Sequence, residues 1–203
     1  MNTSLAESFG NIDIYLFDQL LKGTFNNCKM VLDAGCGTGR NIQFFLKNGY
    51  NVFGVDENPL AIKEVQQLAQ RLAPQQSVDN FIVTPVENLP FSDGRFDIVI
   101  SSAVLHFAKD HDHFDKMLRE MWRVLESGGF LFCRLASNIG IETLVTEKGE
   151  GRFLLPDGST RYLVDQKQLL YYTAELNGRL YEPIKTTNVQ NLRCMTTWCL
   201  QKP

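Results

Sequence analysis

Three alternating glycines, Gly35, Gly37 and Gly39, lie in the run "MVLDAGCGTGRN" (residues 30–41), behind a short apolar stretch and Asp33 and ahead of a helical-looking segment. Glycine removes side chains where backbone must turn or approach a ligand closely, and a helix start beyond such a turn offers unpaired N–H groups. Asp56 ends the next apolar run, "NVFGVD", where a carboxylate can accept hydrogen bonds from both hydroxyls of a ribose. A glycine turn followed by a strand-end acid reads as a nucleotide-type site. His106 stands just past the apolar run "FDIVISS", where an imidazole either orients or deprotonates a bound molecule or simply lines its pocket. Tyr15, in "IDIYLFDQLL", lines such a pocket or packs as an ordinary core or interface tyrosine. The run "KDHDHFD" holds metal-ligand residue types, but it reads as a polar helix start with Asp110 and Asp112 as N-caps; no metal site is expected, and His111 and His113 are expected in solvent.

The elements that must position these residues follow from periodicity. Apolar runs at residues 30–34, 51–55, 80–84, 96–101 and 129–135 read as buried strands. Between them lie helical stripes: Ile42, Phe45 and Leu46; Ile62, Val65, Leu68, Ala69 and Leu72; Phe114, Met117, Leu118, Met121, Trp122 and Leu125. Strands alternating with helices predict an α/β, doubly wound, mostly parallel sheet with helices on both faces. Residues 139–158 lose the pattern and read as a surface excursion with a "PDG" turn. Asp165 is placed to cap a helix running to about residue 176, and residues 179–189 and 193–201 read as an antiparallel C-terminal hairpin.

At 203 residues and 44% hydrophobic composition the chain can bury about two thirds of its unfolded surface in one core, so a single domain is expected. A formal charge of −3 with both signs interspersed gives no footprint for nucleic acid or an anionic membrane. Cys28, Cys36, Cys133, Cys194 and Cys199 form an odd set without a C-x-x-C pair, as in a reducing cytoplasm. Neither a secretory signal nor an apolar run near the roughly 18 residues of a membrane span is evident, so a cytoplasmic location is expected.

Four stretches in order, "VLDAGCGTGRN", "VFGVDENPLAI", "VENLPFSDGRFDIVISSAVLHF" and "MLREMWRVLESGGFLF", resemble the class I S-adenosylmethionine-dependent methyltransferases over about residues 30–134. A dinucleotide fingerprint would read G-x-G-x-x-G, whereas this chain has G-x-G-x-G. The resemblance implies a seven-stranded Rossmann-like sheet, with an N-terminal helical lid (1–28), a cofactor-binding core (29–135), a variable insert (136–164) and a terminal helix and hairpin (165–203). It implies S-adenosyl-L-methionine as cofactor, with Asp33 and the Gly35–Cys36–Gly37 turn against its methionine and ribose, Cys36 serving as packing. Asp56 would meet the ribose, Glu57 or Asn58 the neighbouring rim, Val86 and Glu87 the adenine, and Ser101 and Ser102 the methionine amino end. Arg40 either meets the methionine carboxylate or is solvated. Pro85 stands where the family often has an acid for the adenine amino group, leaving Glu87 or the Val86 backbone to serve.

The implied reaction is in-line methyl transfer to a small-molecule acceptor, with His106 and Tyr15 as candidate catalytic residues. Arg134, Arg152 and Arg161 would grip an anionic acceptor or be solvated. No "NPPY"-like signature of base-modifying enzymes follows the fourth strand. The other readings are a non-catalytic S-adenosylmethionine-binding protein and a NAD(P)-dependent oxidoreductase.

Overall fold

The computed structural model describes residues 4–203, so residues 1–3 of the expected lid lie outside the described residues. Five parallel strands, β1 (Met30–Ala34), β2 (Asn51–Asp56), β3 (Phe81–Val83), β4 (Phe96–Ser102) and β5 (Leu125–Ser137), form most of the main sheet. The helices are α1 (Leu5–Phe9), α2 (Ile14–Leu21), α3 (Gln43–Lys47), α4 (Pro59–Leu72), α5 (His111–Val124) and α6 (Gln166–Glu175).

Strand residues alternate between two apolar layers, as a sheet covered on both faces requires. Leu32, Val99, Leu131 and Cys133 pack with the α5 stripe of Phe114, Met117, Leu118, Met121 and Trp122. Their neighbours Val31, Ile98, Ile100 and Phe132 pack with Leu16 of α2, Phe45 of α3 and Ile62, Val65 and Ala69 of α4. Each of these larger side chains contributes roughly 1.5–3 kcal/mol by leaving water. Asp110 caps α5, its Oδ1 accepting from the His113 N–H at 2.7 Å, and Asp165 caps α6 by accepting from the Gln168 N–H at 2.7 Å.

Three features differ from the sequence reading. The segment after the glycine turn forms only the five-residue α3, beginning at Gln43, because residues 36–42 continue as turns, with Gly39 at φ +85°. The expected surface excursion contains an antiparallel three-stranded sheet of β6 (Thr146–Gly149), β7 (Arg152–Leu154) and β8 (Thr160–Tyr162). Strands of three or four residues, with every β6 side chain exposed, carry too little alternation to be read from sequence. The first hairpin strand is broken into β9 (Arg179–Leu180) and β10 (Lys185–Val189), both antiparallel to β11 (Arg193–Gln201). Pro183, which has no N–H to give the ladder, lies in the break. The sheet order is β10-β11-β5-β4-β1-β2-β3, with β9 also on β11.

Candidate functional site

The carboxyl ends of β1, β2 and β4 meet at the glycine turn, beside the position where the order of the parallel strands reverses. The N–H groups of Gly35 and Cys36 both donate to the Val55 carbonyl at 2.8 Å, and the Gly37 N–H donates to Asp56 Oδ2 at 2.9 Å. Asp56 Oδ1 accepts from the Asn58 N–H at 2.9 Å, so one carboxylate joins the glycine turn to the start of α4. Gly35 needs to be glycine twice over: its φ is +82°, and an added Cβ would lie 2.4 Å from Val104 Cγ2. At Gly37, φ is +51° and an added Cβ would meet nothing within 4 Å, so this part of the turn borders open space.

Cys36 is buried over Gly54 of β2, where an added Cβ would lie 2.9 Å from its sulfur. Burial, then the nearby Asp33 and Asp56, push its thiol well above the usual range. At neutral pH the thiol stays protonated. Asp33, on β1 just before the turn, is also buried, and neither carboxylate oxygen has a partner among the described residues. Burial raises its carboxyl to about 7, with Arg40 lowering it and Asp56 raising it.

A cavity of about 260 Å³ opens beside the turn, bordered by Gly35, Asp56, Glu57, Pro85, Val86 and Glu87. Ala103, Val104, Phe107, Lys109, His113 and Met117 border it as well. Ala103 holds a left-handed φ of +66° where β4 ends, the kind of local strain that the surroundings must over-determine. His113 is a correction to the sequence reading. Its side chain is 17% exposed, and Nε2 lies 3.1 Å from Glu87 Oε1 at the cavity wall. The Lys109 N–H donates to His113 Nδ1 at 3.1 Å, which holds the ring with Nε2 toward Glu87. Glu87 is held below the ordinary carboxylate range; burial opposes that shift, and a backbone hydrogen bond and His113 produce it. His111 is not simply solvated either, since Nδ1 lies 2.8 Å from the Tyr162 hydroxyl.

A second cluster draws the N-terminal segment onto β4 and β5. Asp13, the N-cap of α2, accepts from the Tyr15 N–H through Oδ1 at 3.0 Å. Its Oδ2 takes Arg134 Nη1 at 2.8 Å and the Ser102 hydroxyl at 3.4 Å. Arg40 Nη2 donates to Ser102 Oγ at 2.9 Å, and the Arg134 guanidinium carbon lies 5.1 Å from the Tyr15 ring centroid. The Tyr15 hydroxyl pairs with Thr187 Oγ1 at 2.7 Å. Arg134 is therefore neither free nor solvated. The Ser101 hydroxyl is buried and has no hydrogen-bond partner among the described residues.

His106 is buried, and the Ala136 N–H donates to its Nδ1 at 3.2 Å. Burial and then the Arg161 charge lower its pKa to about 4, so at neutral pH the ring is uncharged, with its proton on Nε2. Such a ring can donate a hydrogen bond but has no free lone pair to take a proton. Arg161 lies over the Phe107 ring at 5.0 Å, and Arg152 Nη1 donates to the Ala108 carbonyl at 3.4 Å. The sequence reading missed Asp13, Phe107, Lys109 and His113. Asp13 carried a signal, being an Asp directly before an apolar helix; the others stand at the turn after β4 and on α5, where tertiary contact alone decides their role.

A family model described as a methyltransferase domain matches residues 32–133. The chain is 38% identical over 122 residues to a thiol S-methyltransferase of Mus musculus, covering 58% of this chain and 47% of that protein. It is 29% identical over 109 residues to a malonyl-[acyl-carrier protein] O-methyltransferase of Enterobacter lignolyticus, covering 53% and 39%. The chain thus spans about half the length, or less, of these curated relatives. A solved S-adenosylmethionine-dependent methyltransferase from Clostridium acetobutylicum superposes with a TM-score of 0.71 over 95% of this chain and 93% of that one, at 14% identity.

Proposed function

The chain belongs to the class I S-adenosylmethionine-dependent methyltransferase family, and on that premise we propose that it carries a methyl group from S-adenosyl-L-methionine to a small-molecule acceptor. The observation that carries this reading is the joint between the glycine turn and the strand-end acid, the Gly37 N–H lying 2.9 Å from Asp56 Oδ2. Two further features fit the cofactor. Asp33 is a buried carboxylate with no partner among the described residues, which suits a ligand bearing positive charge, and the Gly37 backbone borders open space.

In this reading Asp56 accepts from the ribose hydroxyls, with Glu57 and Asn58 at the rim. The Val86 backbone and Glu87 face the adenine edge in place of the acid that Pro85 replaces, and His113 holds Glu87 in position. Ser101 and Ser102 offer backbone groups at the methionine end, and Arg40 reaches the methionine carboxylate. Asp13, Arg134 and Tyr15 hold α2 across the ends of β4 and β5. S-adenosylmethionine supplies a methyl carbon already activated by a sulfonium, which leaves alignment and exclusion of water to the protein. A lone pair of the acceptor forms the new bond to that carbon while the carbon–sulfur bond breaks, its electrons remaining on sulfur. A thiol S-methyltransferase and an O-methyltransferase among the relatives support an acceptor of this general kind.

His106 favours a second reading, a non-catalytic S-adenosylmethionine-binding protein, because this candidate base has no nitrogen free to take a proton. Release of S-adenosylhomocysteine from S-adenosylmethionine with a panel of thiol, carboxylate and phenol acceptors separates the two. Acceptor-dependent release supports transfer; cofactor binding without release from any acceptor supports the second reading. The nicotinamide reading draws no support from the family.

A further inference from the structure

We infer that the acceptor is a flat organic anion, held against Phe107 by Arg161 and Arg152; the inference rests on the methyl-transfer reading above. Phe107 borders the cavity and is 57% exposed, which leaves its ring open to a molecule bound there. The guanidinium of Arg161 lies over its ring at 5.0 Å, and Arg152 reaches the next residue, Ala108, from the adjacent strand of the small sheet. Lys109 follows directly and borders the same cavity. Arg161 and Arg152 thus reach the two residues before Lys109, which brings three cations together beside the cavity.

Among the described residues, none of these three cations lies within ion-pair distance of a carboxylate, although Asp157 lies near enough to Arg161, and Glu87 to Lys109, to be lowered by their charges. Guanidinium groups offer planar, paired donors that match a carboxylate, sulfonate or phosphate, and they stack on aromatic faces. An exposed ring under one of them adds a flat apolar floor. His106, with Nδ1 occupied by the Ala136 N–H, suits the same class: an acceptor ionised before it binds needs no base at this edge.

The test uses two fluorescent probes, anilinonaphthalene sulfonate and N-phenylnaphthylamine, which share their rings and differ by the sulfonate. Both are titrated into the full chain, with and without S-adenosylhomocysteine. The sulfonate should bind the wild type at least about tenfold more tightly than the neutral probe. In the double variant Arg152→Gln, Arg161→Gln that preference should fall to about twofold or less, while the neutral probe binds as before. Arg161→Lys, which keeps the charge but not the planar fork, should retain part of the preference, and this guards against a variant that merely misfolds. Equal binding of the two probes to the wild type, or a preference that survives the double substitution, overturns the inference. The cofactor reading is judged separately by calorimetry with S-adenosylhomocysteine, whose affinity should not change in the double variant; no binding there overturns that reading, while the probe comparison still decides this one.

Discussion

Arg134 Nη1 lies 2.8 Å from Asp13 Oδ2, so the end of β5 is tied to the N-cap of α2 across 121 residues of sequence. The Asp13 side chain is 1% exposed, and among the described residues its one other cation, Arg40, stands 4.0 Å away. Arg134→Met should therefore destabilise the fold by about 3–5 kcal/mol, because a buried carboxylate is left without its partner. Removing both charges in Asp13→Leu, Arg134→Met should recover much of that loss. Urea denaturation measures both, and a loss under about 1 kcal/mol in the single variant would show that the pair does not secure α2.

Asp56→Ala should weaken S-adenosylhomocysteine binding by roughly 1.5–3 kcal/mol, the scale of hydrogen bonds to a charged group. The same carboxylate accepts the Gly37 and Asn58 N–H groups, so the variant also loosens the turn. Affinity equal to wild type by calorimetry would remove Asp56 from the site.

Asp33 predicts how binding depends on pH. Its carboxyl is raised from 3.8 to about 7 in the folded chain. Between those values the folded state holds a proton that the unfolded state has released, so this group's contribution to stability falls as pH rises through that window. A positively charged ligand favours the carboxylate, so binding should expel that proton. Affinity should increase with pH up to about 7 and then level off, and Asp33→Asn should lose that dependence. Calorimetry in two buffers of different ionisation enthalpy counts the released protons, and no proton release at pH 6 would contradict the assignment.

His106→Ala should leave cofactor affinity nearly intact and slow transfer by less than about a hundredfold. Alignment can supply roughly 7–11 kcal/mol, whereas a general base typically supplies a rate factor of about 10²–10⁴. The bonded Nδ1 and the pKa near 4 keep His106 out of the base's role. A single-turnover loss beyond about 10⁴-fold with unchanged binding would show an essential acid or base.

Much of the frame was legible in the sequence because it rests on local periodicity. The α5 stripe, the Asp165 cap and the alternating strands need only neighbours along the chain to declare themselves. The glycine turn was legible for the same reason, since positive φ at Gly35 and Gly37 requires that residue type. What was hidden depends on contact between distant segments. His113 looked like a solvated residue of a polar helix start, until the turn after β3 placed Glu87 beside it. Arg134 read as a free cation, because its partner Asp13 comes from the far end of the chain. The β6–β8 sheet escaped notice because its strands are short and half exposed, so no alternation marks them.

Titration calorimetry of the full chain with S-adenosylhomocysteine, beside NAD as control, tests the central claim most directly. The account predicts one saturable site for S-adenosylhomocysteine, no heat with NAD, and a gain of about 2.7 kcal/mol in folding stability at a hundredfold excess over the dissociation constant. A folded chain that binds NAD tightly and gives no heat with S-adenosylhomocysteine would contradict it.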